Sequence, residues 1–151
     1  MENKNKLLTK LEKERKDLIV KRELLLKKIE EEQAEDYDEY AVSIINDFSS
    51  ELQVVVQQIF EIQNTIRSIK SKLKNSDGKL GELINIGDCV KLKSEYNMRQ
   101  YFITHESNYI NPQLGVISSS SPIAQQILNR KFGETIALSL NGMQLDYQLL
   151  P

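Results

Sequence analysis

Residues 41–74 read AVSIINDFSSELQVVVQQIFEIQNTIRSIKSKLK, a stretch in which apolar residues recur with heptad spacing. Nine of them follow one another at alternating steps of three and four, with no Pro or Gly between them. An α-helix places residues at this spacing on one narrow face, which is stable only when another helix covers it. The stretch therefore predicts one strand of a coiled coil. Its seam consists of Ile45, Phe48, Leu52, Val55, Ile59, Ile62, Ile66, Ile69 and Leu73.

A partner helix is predicted within the same chain, over residues 5–33. Its apolar stripe comprises Leu8, Leu11, Leu18, Leu25 and Ile29, widened by Leu7, Leu24 and Leu26. Arg15 and Arg22 interrupt the stripe, where their long stems can cover the seam while their charged ends reach solvent. Only about seven residues remain for the connection, so the two helices are expected to run antiparallel as a hairpin. Each arm would be about 45 Å long.

Charge is strongly segregated along this hairpin. Residues 1–28 carry ten Lys or Arg and five acids, residues 29–66 carry ten acids and no Lys or Arg, and residues 67–74 carry four basic residues and no acid. The acids concentrate around the predicted tip, at about residues 34–40. They are Glu30, Glu31, Glu32, Glu35, Asp36, Asp38 and Glu39.

Two interpretations of the acidic tip remain open. Charged residues keep an exposed turn soluble, and acids near the start of the second helix favour its dipole. Alternatively, the rod delivers clustered carboxylates to a divalent cation or to a basic partner, which would offset their mutual repulsion.

The pattern changes after the hairpin. We assign residues 1–75 to the hairpin, 76–82 to a linker with two glycines, and 83–151 to a small domain of short strands. Strands are predicted at residues 89–93, 100–104, 115–118, 135–140 and 143–150, the last two joined by an Asn-Gly turn of type I′. Ser121 and Pro122 are expected to open one short helix. The fold class is α+β.

Composition excludes several classes of protein. One cysteine, Cys89, permits no intramolecular disulfide, and with one histidine, His105, the usual metal-ligand clusters are missing. No apolar run approaches the ~18 residues of a membrane helix, and the N-terminus lacks a signal-peptide pattern, so we expect a cytoplasmic protein with no membrane partner. A net charge of −2 with an acidic block argues against independent DNA binding.

Residues 115–142, GVISSSSPIAQQILNRKFGETIALSLNG, resemble the C-terminal domain of the Gre family of bacterial transcript-cleavage factors (GreA and GreB). The shared order is a strand, a Ser-rich turn, Ser-Pro-Ile-Ala, a short helix and a final strand pair. The segment IGDCV at residues 86–90 is similar to the first strand of that domain. The resemblance covers about 70 residues, whereas the N-terminal half matches in architecture more than in residues. It implies a domain similar to the FK506-binding-protein fold, with an antiparallel sheet and one short helix.

The resemblance also implies a function. Gre proteins are accessory factors rather than enzymes: the C-terminal domain docks on bacterial RNA polymerase at its secondary channel, and the coiled coil enters the channel. Two tip acids help to hold Mg²⁺ jointly with the polymerase active site, where a backtracked transcript is hydrolysed, so no cofactor is expected on the chain alone. Contact with the RNA 3′ end would be indirect. A solvated face of the first helix is the favoured interpretation of six lysines there, which could also attract the RNA phosphates. The six lysines are Lys10, Lys13, Lys16, Lys21, Lys27 and Lys28. The polymerase-binding residues implied are Ser119, Ser120, Ser121, Pro122 and Ile123.

The tip departs from the family pattern. Cleavage-active members carry a motif resembling Asp-Leu-Ser-Glu-Asn-Ala-Glu-Tyr, whereas residues 35–40 here read EDYDEY. The segment here contains no Asn and has fewer residues before its Tyr. The alternative function is therefore a channel-binding regulator or inhibitor without cleavage activity, as in family relatives with an altered tip. We predict as catalytic and metal-holding residues Asp36 and Glu39, with Asp38 as a further catalytic candidate.

Two functions of other classes are also weighed. A fold similar to FK506-binding proteins suggests a prolyl isomerase, but such enzymes need a deep aromatic pocket and this chain has no Trp. Alternatively, the hairpin is a generic oligomerisation or scaffold module. A monomer is favoured, because the first helix supplies a complementary apolar stripe within the same chain.

Overall fold

The computed structural model describes the backbone of residues 2–34, 38–75, 78–106 and 108–151, and side chains within 6–34, 38–72, 78–106 and 108–151. Two long helices come first, α1 (Glu2–Ala34) and α2 (Glu39–Asn75). Five strands and one short helix follow: β1 (Cys89–Lys93), β2 (Met98–Thr104), β3 (Val116–Ser118), α3 (Pro122–Ile127), β4 (Thr135–Leu140) and β5 (Met143–Leu150).

The two long helices form the antiparallel hairpin predicted from their spacing. Lys70 Nζ lies 2.7 Å from Glu12 Oε1, so the end of α2 lies beside the start of α1. Lys21 Nζ lies 2.7 Å from Glu51 Oε1, so the middle parts of the two helices also lie side by side. The described seam residues of α2 are buried or partly buried throughout. On α1, Leu7 is buried, but the prediction that Leu24 and Leu26 widen the seam is wrong. They are 52% and 44% exposed, because a two-helix seam covers only the narrow face around its heptad positions.

The strands form one sheet in the order β3-β2-β1-β5-β4. The pairs β1–β2, β1–β5 and β4–β5 are antiparallel, as predicted. β3 departs from the antiparallel expectation, because it pairs parallel to β2 over Phe102–Thr104. The eleven residues between β2 and β3 return the chain to the same end of the sheet, as a parallel pair requires.

Local sequence signals place the remaining elements of the domain. Asn141 and Gly142 have φ of 52° and 77°, the two positive values of a type I′ turn between β4 and β5. Ser121 caps α3 by accepting a hydrogen bond from the Ala124 N–H at 3.2 Å, and Pro122 is the first helical residue. Ala124 and Ile127 point into a core against the sheet, as the short helix must to bury its apolar face.

The base of the hairpin packs on the sheet domain. A second apolar cluster combines residues of both helices with Phe102, Tyr109 and Val116 of the domain. The hairpin contributes Leu7, Leu8, Leu11, Ile62, Ile66 and Ile69. The domain therefore forms a third surface against one end of the helical pair, and the tip lies at the opposite end. Among the described residues, none of the helices is long and apolar enough to cross a membrane.

Candidate functional site

The acidic tip lies at the free end of the hairpin, between the end of α1 at Ala34 and the start of α2 at Glu39. Glu30, Glu31, Asp38 and Glu39 are exposed. Asp36, one of the two predicted metal-holding residues, lies outside the described residues, as do Glu35 and Tyr37. The predicted pairing of Asp36 with Glu39 thus stays a prediction.

Asp38 has a structural role at the tip. Its Oδ1 accepts a hydrogen bond from the Ala41 backbone N–H at 2.8 Å. This is the geometry of a helix N-cap, in which a side-chain oxygen satisfies a backbone donor that has no partner within the helix. The Val42 N–H also donates to the Asp38 carbonyl at 3.2 Å, which closes the first turn of α2. One of the two carboxylate oxygens of Asp38 is therefore already engaged.

Glu39 and Tyr40 extend outward from this cap. Glu39 is the acidic residue of the first turn of α2, where a negative charge interacts favourably with the helix dipole. Tyr40 is 75% exposed, so its ring lies on the solvent-facing side of α2. The tip therefore exposes a carboxylate and a phenol on two consecutive residues, Glu39 and Tyr40.

The described tip residues offer few carboxylate oxygens to a metal ion. No group of three or more His, Cys, Asp or Glu side chains that could hold a metal ion occurs in the described parts of the chain. Mg²⁺ prefers six oxygen ligands in octahedral geometry. Glu39 and the free oxygen of Asp38 supply carboxylate oxygens of the right chemistry, but too few to complete such a shell.

The Ser-rich loop of the domain is tied to its own backbone. Ser118 Oγ lies 2.9 Å from Ser120 Oγ and accepts from the Ser120 N–H at 3.2 Å. The Ser119 N–H donates to the Thr104 carbonyl at 2.8 Å, which extends the parallel pairing of β2 and β3. Ser120 and Pro122 are exposed, whereas Ile123 is partly buried and packs against the core. The loop is thus held in place with part of its surface open to solvent.

The lysines of α1 divide into engaged and open groups. Lys21 forms an ion pair with Glu51, and Lys27 pairs with Glu31 along the helix at 3.7 Å. Lys28 Nζ lies 5.3 Å from the centre of the Phe48 ring, close enough for a cation–π interaction across the hairpin. These three lysines hold the two helices together or stabilise α1, which the charge pattern alone did not reveal. Lys10, Lys13 and Lys16 are exposed.

Cys89 and His105, which belong to no predicted site, lie in the sheet domain. Cys89 is partly buried and packs against the apolar cluster that joins the hairpin to the domain. His105 is exposed directly after β2. Neither lies on the hairpin that carries the tip.

The sequence matches a known family over its C-terminal part. Residues 80–150 match the family described as "Transcription elongation factor, GreA/GreB, C-term". A similar curated protein is the transcription elongation factor GreA of Leuconostoc mesenteroides, 26% identical over 109 residues, which cover 68% of each chain.

Solved structures with a similar chain course come from three bacteria. The GreA factor homolog 1 (Gfh1) of Thermus thermophilus is 20% identical, with a TM-score of 0.42 and coverage of 98% of this chain and 92% of that one. Thermus aquaticus Gfh1 is 21% identical, with a TM-score of 0.41 and coverage of 97% and 91%. The elongation factor GreA/GreB of Nitrosomonas europaea is 12% identical, with a TM-score of 0.40 and coverage of 70% and 89%.

Proposed function

We propose that the chain is a transcription elongation factor of the GreA/GreB family, which binds bacterial RNA polymerase at the secondary channel and stimulates cleavage of backtracked transcripts. In this proposal the sheet domain docks outside the channel, in the cytoplasm, and the hairpin enters it. In this role the chain is an accessory factor, whose carboxylates add metal ligands to the active site of the polymerase.

The observation that supports this proposal is the placement of exposed acids at the far end of a thin rod. α1 has 33 residues, so the hairpin is about 50 Å long. The apolar cluster that joins it to the domain extends along α1 as far as Leu18. From Leu18 to Ala34, α1 continues for about 24 Å further. A two-helix rod of this length can bring carboxylates to a buried active site while the domain stays outside.

At the polymerase active site, Mg²⁺ would activate water and stabilise the departing oxygen of the transcript. The chain's own residues would hold and orient carboxylate oxygens there. Glu39 is exposed and free to reorient, whereas Asp38 is fixed by its bond to the Ala41 N–H. Asp38 would thus mainly set the start of α2 and the direction of Glu39. Asp36 is proposed as the second carboxylate because it is three residues before Glu39.

Two observations favour the alternative, a channel-binding regulator without cleavage activity. One oxygen of Asp38 is engaged in the cap, which reduces the carboxylate available to a metal. Tyr40 is exposed at the tip, where its ring can pack on a protein surface without any metal. Such a factor would enter the channel because the hairpin is narrow, and it would be held there by contacts between its side chains and the polymerase.

The deciding experiment is a transcript-cleavage assay on backtracked complexes of the polymerase from the same organism, at about neutral pH with Mg²⁺. Cleavage that depends on the chain and is lost in Asp36→Ala or Glu39→Ala is the expected result. Asp38→Asn is the matched control, since Asn retains the cap and removes the charge.

Other outcomes assign the alternative or overturn the proposal. Polymerase binding in a pull-down, without any RNA shortening, would identify the channel-binding regulator. Failure to bind the polymerase at all would refute both forms of the function. A cleavage rate that Asp36→Ala and Glu39→Ala leave unchanged would exclude the assigned acids.

A further inference from the structure

A cleft opens where the start of α1 meets the sheet domain. In the described parts of the chain, β3 pairs only with Phe102–Thr104 of β2, and the preceding half of β2 has no strand neighbour on that side. Residues 112–115 and the first turns of α1 border the resulting space. We call it the junction cleft. Its volume of about 540 Å³ is within the usual range for small-molecule sites.

The junction cleft is lined by basic side chains and by no described acid. Lys6 and Lys10 lie one turn apart on α1, and Arg99 comes from β2. No Asp or Glu is among the lining residues, although the chain has 22 acids and 20 basic residues. None of the three cations forms an ion pair with an acid in the described parts of the chain.

This arrangement differs from that of three other lysines on the hairpin. Lys21, Lys27 and Lys70 each have a carboxylate within 4 Å. In the junction cleft, three positive charges face the same space without such a partner and repel one another. A bound oxyanion would relieve that repulsion, and the guanidinium of Arg99 matches two oxygens of a phosphate in one plane.

The remaining lining explains why a small ligand fits better than a bare ion. Leu7 and Tyr101 are buried side chains at the cleft and give it apolar walls. Gln100 also lines the cleft, and its buried Nε2 has no acceptor among the described residues. A buried donor without an acceptor is unfavourable, so reorientation of this amide toward a ligand oxygen would be favourable.

We propose that the junction cleft binds the phosphate groups of a small phosphorylated ligand through Lys6, Lys10 and Arg99. Lys6 and Lys10 belong to the hairpin and Arg99 to the sheet, so the bound anion links the two parts of the molecule. This inference does not depend on polymerase binding, since the isolated chain carries the whole cleft.

The test is calorimetric titration of the isolated full chain at low salt, without divalent cations. The probes are inorganic tripolyphosphate and ATP. Saturable binding of one ligand per chain is expected, weakened at least about tenfold by Lys10→Gln and by Arg99→Gln, since each removes a charged hydrogen-bond donor. The matched controls are Lys13→Gln, on the same helix outside the cleft, and Arg130→Gln, an exposed arginine elsewhere in the domain. They should change the affinity less than about twofold.

The two probes distinguish the source of the phosphate. Equal affinity for tripolyphosphate and ATP indicates a site for polyphosphate alone, and tighter binding of ATP indicates a nucleotide site. A rise in melting temperature with ligand, absent in the Lys10→Gln/Arg99→Gln double variant, is an independent readout. Circular dichroism of each variant verifies its fold.

Three results would overturn the proposal. The first is no saturable binding of either probe. The second is binding that the control substitutions weaken as much as the cleft substitutions do, which would indicate general attraction to positive charge. The third is binding only of a single-stranded RNA oligonucleotide, with no affinity for the small phosphates.

Discussion

The two halves of the hairpin share one apolar seam, but more of its side chains are buried in the half next to the domain than in the half next to the tip. In the proximal half, residues 6–18 and 59–72, Leu11, Ile62 and Ile69 are at most 1% exposed. In the distal half, residues 19–34 and 38–58, the buried residues are Leu25, Ala41 and Val55, and the other seam residues stay partly exposed. The difference arises because the sheet domain covers only the proximal half. Two helices alone bury only the centre of a narrow face, and a third surface increases the number of buried residues.

This difference has a functional meaning within the proposal. The proximal half anchors the rod to the domain through apolar packing. The distal half is a thin two-helix projection, held partly by contacts such as Lys28 on Phe48 and Lys21 with Glu51. A projection without a third layer is less stable, but it is also narrow enough to enter a channel.

The largest expected effect is the loss of a buried side chain in the proximal half. Ile62→Ala should lower the free energy of unfolding by about 2–5 kcal/mol, because it removes a fully buried side chain and leaves a cavity. Ile45→Ala is the same substitution in the distal half, where the side chain is only partly buried, and should cost roughly half as much or less. Urea denaturation of both variants measures the two losses. Equal losses would contradict the assigned difference between the halves.

At the tip, Asp38 provides the next largest effect. Asp38→Ala should lower the free energy of unfolding by about 0.5–2 kcal/mol, because the Ala41 N–H loses its acceptor. Asp38→Asn should change it little, since Asn is an equally good cap residue. Thermal or urea denaturation checks this, with Glu39→Gln as the neighbouring control. If Asp38→Asn is as destabilising as Asp38→Ala, the carboxylate charge rather than the cap is what matters.

The contact between hairpin and domain should weaken in alkali. Burial raises the pKa of Tyr109 above its ordinary 10.0, the hydrogen bond from Asn111 opposes the rise, and Glu14 adds to it. A raised pKa in the folded state means that the full stability is present below the ordinary pKa and is lost as the pH rises above it.

The corresponding measurement compares the free energy of unfolding at about pH 8 and about pH 10.5 for the parent chain and for Tyr109→Phe. The parent should lose more stability than the variant. Tyr96→Phe, at a side chain that is 79% exposed, is the matched control. An identical loss in the parent and in Tyr109→Phe would exclude Tyr109 as its source.

The smallest expected effect concerns the ion pair between Glu12 and Lys70. The hydrogen bond and the charge of Lys70 hold the pKa of Glu12 below its ordinary 4.5. The stabilisation is thus present above the ordinary pKa and is lost as the pH falls through the lowered value. Because both side chains are substantially exposed, Lys70→Met should cost less than about 1 kcal/mol near neutral pH and nothing in strong acid.

Urea denaturation of the parent chain and of Lys70→Met, near neutral pH and in strong acid, measures the loss in the free energy of unfolding. Lys27→Met removes a pair within α1 rather than between the helices and is its control. A cost that persists in strong acid would show that Lys70 acts through the packing of its stem rather than through charge.

Much of the fold could be predicted from local signals. The heptad seam from Ile45 onward predicted α2, and the short connection predicted the antiparallel hairpin. The strands β1, β4 and β5 begin and end where their alternation predicted, and Asn141-Gly142 forms the predicted turn. These predictions are confirmed because the spacing of apolar residues and the identity of a turn residue determine the backbone conformation within a few residues.

The parts that failed depend on distant contacts. Nothing near β3 indicates that it pairs parallel to β2, because the direction is set by how the connecting loop packs. Leu24 and Leu26 are apolar residues near the seam, and only the position of α2 leaves them exposed. The cap at Asp38 was not predicted either, since a carboxylate at a helix start can serve several purposes, and Asp38 as a further catalytic candidate stays a prediction.

The sequence by itself determined two long helices, an acidic segment between them and a small strand-rich domain, because periodicity and charge order are properties of the chain alone. Only the tertiary structure decided which side chains at the base of the hairpin the domain covers. That choice buries Leu11 and Ile62 against Phe102 and Tyr109, and it brings Lys6 and Lys10 to the same cleft as Arg99. Residues some ninety positions apart meet there because burial of apolar surface favours the contact, which local spacing cannot specify.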